Sequence, residues 1–229
     1  MKVAVCFSGH LRTFRECAAS WQQVVFSRFS RNAPDVFLHT WGKLGVGDRF
    51  DETAGAIDTR SVMSQFDRIY KPVAVKLEEP IDFSRSHSWM LRWSFNHRNP
   101  LFVPSMFYAV EQADLLRQQQ EKKQGWRYDV VVRARTDLLF SKFEWPGGTP
   151  SSGRHYTADV HNYCGLNDQF WFGDSADMTK SCALYSNLEK RVLEEGCMVH
   201  PETLMKFHVH RCGLSIVHVP SAYVLKRER

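Results

Sequence analysis

Hydrophobic and polar positions along this chain switch repeatedly between two periods. Residues 2–7 (KVAVCF) form a short, nearly continuous apolar run that stops at Ser8-Gly9, the pattern of a strand buried on both faces. From Thr13 the period lengthens. Phe14, Cys17, Trp21, Val25 and Phe29 recur at helical spacing, and Thr13 with Glu16 spells a T-x-x-E capping box. Residues 35–39 (DVFLH) read as a second strand after Pro34. Thr59–Tyr70 reads as an amphipathic helix through Val62, Phe66 and Ile69, and residues 73–77 as a third strand. Between them, 43–58 holds Gly45, Gly47 and Gly55 among few apolar residues, which predicts a loop.

Residues 104–120 predict a helix with Met106, Val110, Ala113 and Leu116 on one face. Residues 129–132 are the most apolar strand, and they lead into Arg133-Ala134-Arg135-Thr136-Asp137. Further on, 169–172 reads as a short strand, and 175–193 as a helix capped by Asp174 or Ser175. Residues 201–212 read as a helix with proline in its first turn, and 214–219 as a strand before a basic tail at 226–229. Two stretches, 78–102 and 141–168, have no clean period; the first is aromatic and polar, the character of a lid. Strands and helices alternate through 1–140. That order predicts an α/β domain with right-handed crossovers and a mostly parallel central sheet covered on both faces, followed by a more irregular portion. No linker or repeat divides the chain, so a single domain is expected over 1–229.

Composition narrows the classes. Apolar residues make up 43% and charged residues 24%, which excludes a disordered or fibrous chain. No apolar run is long enough to span a membrane, and the first residues lack the apolar stretch and small-residue site of a signal peptide. The six cysteines are scattered singly, without a C-x-x-C pair, so reduced thiols and a cytoplasmic protein are expected. The net charge of +5 suits a small anionic substrate. It is too weak and too dispersed for nucleic acid, and no zinc spacing or RNA-binding aromatic motif is present.

Four segments carry candidate chemistry. Ser8, Gly9 and Arg12 lie between the first strand and the first helix, where a glycine lets backbone approach a phosphate and an arginine supplies a fork. The segment is neither GxGxxG nor GxxxxGK[ST]; its plain alternative is a tight turn beside a surface arginine. Arg133, Arg135 and Asp137 follow at the end of the central strand, where alternation sends all three to one side. Arginines there neutralise a diphosphate and Asp137 binds a divalent cation, or the three form a structural ion pair. Asn167-Asp168-Gln169 precedes an aromatic strand; it is either a sugar-binding triplet with Asp168 as general base, or a turn before a core strand. Glu202 opens the helix at 201–212, where a carboxylate is also favourable for the helix dipole alone. His208 and His210 do not share a helix face and make a poor metal pair.

Taken together and in this order, SGHLRTF, DVFLHTW, YDVVVRARTDLLF, NDQFWFGDS and HPETLMKFHV resemble a group of small bacterial and viral glycosyltransferases of the GT-A type. The resemblance implies a Rossmann-like nucleotide-binding part at 1–140 and an acceptor-side part at 141–229. It implies a nucleotide-sugar donor, a glycan or other hydroxyl acceptor, and a Mn or Mg ion held by a D-x-D motif. By the same resemblance Ser8, Gly9, Arg12, Arg133 and Arg135 line the nucleotide side, Asp137 meets the metal, and Asp168 and Glu202 face the acceptor. The chain departs from D-x-D at the matching position, which reads Arg135-Thr136-Asp137 and keeps only the second carboxylate. The expected activity is glycosyl transfer. The rivals are another nucleotide-using transferase, which needs paired carboxylates or a phosphate loop not visible here, and a nucleotide- or carbohydrate-binding domain without turnover.

Overall fold

The computed structural model describes residues 1–29, 33–42, 59–92 and 100–226. The expected loop at 43–58 therefore lies outside the described residues, as do 93–99 of the aromatic stretch and 227–229 of the basic tail. In chain order the strands are β1 (Val3–Ser8), β2 (Asp35–Trp41), β3 (Ala74–Glu78), β4 (Val130–Ala134), β5 (Leu138–Phe143), β6 (Arg154–Ala158), β7 (Phe170–Gly173), β8 (Ser215–Val219) and β9 (Ser221–Leu225). The helices are α1 (Phe14–Ser20), α2 (Thr59–Tyr70), α3 (Phe102–Gln124), α4 (Ser175–Cys182), α5 (Leu184–Glu189) and α6 (Pro201–Arg211).

Strand pairing gives a seven-stranded sheet in the order β3-β2-β1-β4-β7-β6-β8. Every neighbouring pair is parallel except those of β7, which runs against both β4 and β6. The sheet is thus mostly parallel, and the chain is α/β. Period two explains why it is buried on both sides. Val3, Val5 and Phe7 of β1 face the layer of α1 and α2, while Ala4 and Cys6 face the layer of α3 to α6. Phe170 and Phe172 against Trp171 repeat the split on β7. Each fully buried aromatic of this kind stabilises the fold by about 1.5–3 kcal/mol.

β5 and β9 form a separate antiparallel pair beneath α1. Neither β6 nor β9 is legible as a strand from the sequence, and residues 141–143 of β5 fall in the stretch expected to be irregular. β6 (RHYTA) buries His155 and Thr157, so a count of hydrophobic positions passes over it. The helix expected over 175–193 is broken at Ala183 into α4 and α5, followed by a wider turn at Lys190–Glu194. Asp174 is its cap, accepting from the Asp177 amide at 2.8 Å.

The capping box does not form. The Thr13 hydroxyl donates to the Lys226 carbonyl, and the Glu16 carboxylate pairs with Lys226 Nζ at 3.2 Å. Both side chains serve a long-range latch between the start of α1 and the end of β9 in place of the helix's own amides.

The strand order reverses between β1 and β4, since β2 and β3 add on one side of β1 and β4 on the other. Ligand crevices of open α/β sheets open at such a point, beyond the carboxyl ends of the two strands. Ser8 ends β1 there, and Arg135 follows the end of β4.

Candidate functional site

Gly9 leaves β1 with φ +107°, a backbone conformation that favours glycine, and its amide donates to the His39 carbonyl at 3.2 Å. A Cβ there would meet nothing within 4 Å, so backbone torsion alone calls for glycine. The Thr136 hydroxyl donates to the His10 carbonyl at 3.2 Å and ties this loop to the one after β4.

Arg133 stands on the α3 side of β4 and is 1% exposed. Its guanidinium lies over the Trp171 ring at 4.4 Å, donates through Nη1 to the Asp168 carbonyl, and reaches Ser8 Oγ from Nη2 at 3.3 Å. Its Nε has no partner among the described residues. Burial pulls its pKa down to about 10; the nearby Asp168 carboxylate opposes that shift and Arg135 adds to it. Arg133 therefore remains a cation at neutral pH, with no carboxylate hydrogen-bonded to it among the described residues.

Alternation does not carry the other two charges to the same place, because β4 ends at Ala134 and the chain turns. Arg135 and Asp137 close on each other in that turn. Arg135 Nε donates to Asp137 Oδ1 at 2.8 Å and Nη2 donates to Oδ2 at 2.6 Å. Asp137 lies toward α1, where its charge, after burial, helps push Cys17 up to about 11. Burial alone would raise the Asp137 pKa; the Arg135 pair and the charge of Arg12 hold it below the usual carboxylate range. The Lys226 amide donates to the Asp137 carbonyl at 2.9 Å, so β9 braces this turn as well.

Asn167-Asp168-Gln169 divides into scaffold and candidate reactant. Asn167 is fully buried and satisfied: Nδ2 donates to Val160 O (2.6 Å) and Tyr223 Oη (2.5 Å), and Oδ1 accepts from the amides of Gln169 and Phe170 (2.8 and 3.0 Å). It is the turn former before a core strand. Asp168 is 8% exposed, and its carboxylate bonds no other side chain among the described residues. Burial raises its pKa, and the charges of Arg133 and Arg135 counteract only part of that rise. Gln169 Oε1, one residue on, is buried and likewise without a partner among the described residues.

Compared with known protein families and with curated proteins, the chain matches no family model and no curated sequence.

Glu202 sits in the first turn of α6, 3.4 Å from His200 Nδ1. Gly165 packs on the Glu202 backbone with no room for a Cβ, and the Leu166 amide donates to the Glu202 carbonyl at 2.8 Å. His200 in turn contributes to the electrostatics of Asp168. Of the two carboxylates singled out for acceptor chemistry, Asp168 feels the charges of Arg133 and Arg135, and Glu202 lies against His200 at the start of α6. Sequence reasoning passed over Tyr223, which holds Asn167 and whose field reaches Asp168, Arg133 and Arg135. The alternation in SAYVL after Pro220 is the signal that could have found it.

The expected Mn or Mg ion does not fit these side chains as they stand. Both Asp137 oxygens are engaged by one guanidinium, and the position that a second carboxylate would take is that guanidinium's own residue. Among the described residues no group of three or more His, Cys, Asp and Glu is placed to hold a metal ion. What these residues offer is a buried cation at Arg133, a fork at Arg135 and a carboxylate of raised pKa at Asp168 beside them.

Proposed function

We propose that this protein is a glycosyltransferase that moves a sugar from a nucleoside-diphosphate donor to a hydroxyl acceptor. The observation that carries the reading is Asp168: a buried carboxylate without a side-chain partner among the described residues, raised in pKa, beside Arg133 and Arg135 at the switch point of the sheet. A carboxylate of ordinary pKa is a feeble base; raising it by burial moves it toward the range that general-base catalysis uses. Asp168 takes the proton of the acceptor hydroxyl as the acceptor oxygen bonds to the anomeric carbon. The bond from that carbon to the donor's diphosphate breaks, and its electron pair leaves with the diphosphate oxygen. Arg133 and Arg135, with Arg12 at the edge, supply the positive field that receives the charge. Gly9 and Ser8 form the backbone edge along which the diphosphate lies.

The resemblance of the five sequence segments and the position of the crevice support the same reading. The test is incubation with a panel of UDP- and GDP-sugars and simple glycoside acceptors, scored by release of nucleoside diphosphate. Wild type releases it, and Asp168→Asn lowers the rate by roughly 10²–10⁴-fold, the range of general-base catalysis, with the fold unchanged. Donor binding without release by wild type, across the acceptor panel, would overturn the enzymatic reading and leave a binding domain.

A further inference from the structure

We propose that the crevice binds the donor's diphosphate without a divalent cation, and that Asp137 acts as the positioning residue that aims the Arg135 fork. The proposal rests on the reading of the site as a nucleoside-diphosphate site and specifies how its charge is met. Three observations carry it. A carboxylate that ligates a dication must offer an oxygen to it, and each Asp137 oxygen already accepts a short hydrogen bond from Arg135, at 2.8 and 2.6 Å. Asp137 itself is 1% exposed, whereas the Arg135 side chain is 27% exposed, so the outward-facing member of the pair is the cation. The bidentate pair uses Nε and Nη2 of Arg135, which leaves Nη1 outside the pair with two protons of its own to donate.

Charge points the same way. Among Arg12, Arg133, Arg135, Asp137 and Asp168 the cations outnumber the carboxylates three to two. Adding a dication to that field would require carboxylates to balance it, and Asp137 already spends both oxygens on Arg135, which leaves Asp168. A diphosphate, in contrast, meets a buried cation at Arg133 and a planar fork at Arg135 whose plane is fixed by Asp137 on one side. Asp137 thus does for Arg135 what an outer carboxylate does for a metal-bound histidine: it fixes orientation without touching the ligand.

The experiment is titration calorimetry with UDP, GDP and inorganic pyrophosphate, each with Mn and each with chelator, on wild type, Arg135→Lys and Asp137→Asn, with melting temperatures alongside. The expected result is equal wild-type affinity in Mn and chelator, within about twofold. Arg135→Lys keeps the charge but loses the fork, and is expected to bind about tenfold more weakly, equally in both conditions. Asp137→Asn is expected to weaken binding by a similar factor, again equally in both, because the fork loses its aim; a merely structural Asp137 would shift the melting temperature and leave affinity alone. If Asp137→Asn fails to fold, wild type and Arg135→Lys decide. Wild-type binding that chelator abolishes, or a Mn-dependent gain that disappears in Asp137→Asn, would overturn the proposal, as would no binding of any of the three anions. Binding of pyrophosphate alone, Arg135-dependent and metal-independent, would uphold the proposal while sinking the nucleotide-sugar reading.

Discussion

Two arginines are buried in this protein to nearly the same degree, and they are treated in opposite ways. Arg117 of α3 is 0% exposed and every nitrogen is satisfied: Nε and Nη2 meet Asp114, Nη1 meets Glu121 and Ser175, and Nη2 also meets Thr179. Burial works against its charge, but the carboxylates of Asp114 and Glu121 more than compensate and raise its pKa. Arg133, 1% exposed, has a carbonyl, a long contact to a serine hydroxyl, an indole face and, among the described residues, an unpartnered Nε. Its pKa is pulled down to about 10. The first is a rivet between α3 and α4. The second is a cation held in reserve near the carboxyl ends of β1 and β4, and a reserve of that kind is what a bound anion uses.

The largest expected effect separates the two directly. Arg117→Met leaves Asp114 and Glu121 buried without their cation and is expected to cost about 3–5 kcal/mol in chemical denaturation. Arg133→Met abandons no hydrogen-bonded carboxylate and fills the space beside Trp171 with an apolar chain, so its stability cost is expected to stay below about 2 kcal/mol. Its effect falls on ligand binding instead, where losing a charge-assisted contact weakens nucleoside-diphosphate affinity by about 1.5–3 kcal/mol. Equal stability losses in the two variants would break the comparison.

A smaller effect repeats the contrast with histidines. His208 is satisfied, accepting from Arg191 Nε at 3.3 Å and donating from Nε2 to the Lys180 carbonyl at 2.9 Å. His155 on β6 has neither ring nitrogen partnered among the described residues. Burial pushes both down, His155 to about 3 and His208 to about 4, from an ordinary 6.5. A base whose folded pKa is depressed gives stability that is complete above the unfolded pKa. That stability is lost as pH falls from about 6.5 toward the folded value, because the unfolded chain takes up the proton first. At about pH 5 each histidine is expected to cost about 2 kcal/mol relative to neutral pH. His155→Leu should remove its share of that slope, measured by urea denaturation at both pH values; an unchanged slope would show that His155 is protonated without penalty.

What could be read from the chain, and what could not, follows from the same distinction between satisfied and unsatisfied groups. Runs with one dominant period were legible. β1 through KVAVCF, α2 at Thr59–Tyr70 and the apolar strand before Arg133 needed only counting. β6 was not, because its buried residues are His155, Tyr156, Thr157 and Ala158, only the last of them an aliphatic residue. The T-x-x-E box at Thr13 and Glu16 failed for a different reason: both side chains had a better partner in Lys226, more than two hundred residues away, which no local rule sees. Within the site, the arginines and Asp168 were legible as chemistry-bearing types at the end of strands. Their sorting was not. Nothing in RARTD says that Asp137 spends both oxygens on Arg135, and nothing in NDQ says that Asn167 is consumed by Tyr223 and the backbone while Asp168 is left over. Those are consequences of where β4 stops and of what β9 brings back.

The account turns on Asp168, and its protonation can be followed without knowing the donor. Side-chain carboxyl NMR, with the Asp168 signal assigned by its loss in Asp168→Asn, gives its titration midpoint in the free protein and in the presence of UDP, GDP or pyrophosphate. The account predicts a midpoint above the ordinary 3.8 in the free protein. It predicts a further rise when an anion occupies the arginines, because the charges that oppose the shift are then neutralised. A midpoint at or below 3.8, unmoved by any of the three anions, would contradict it.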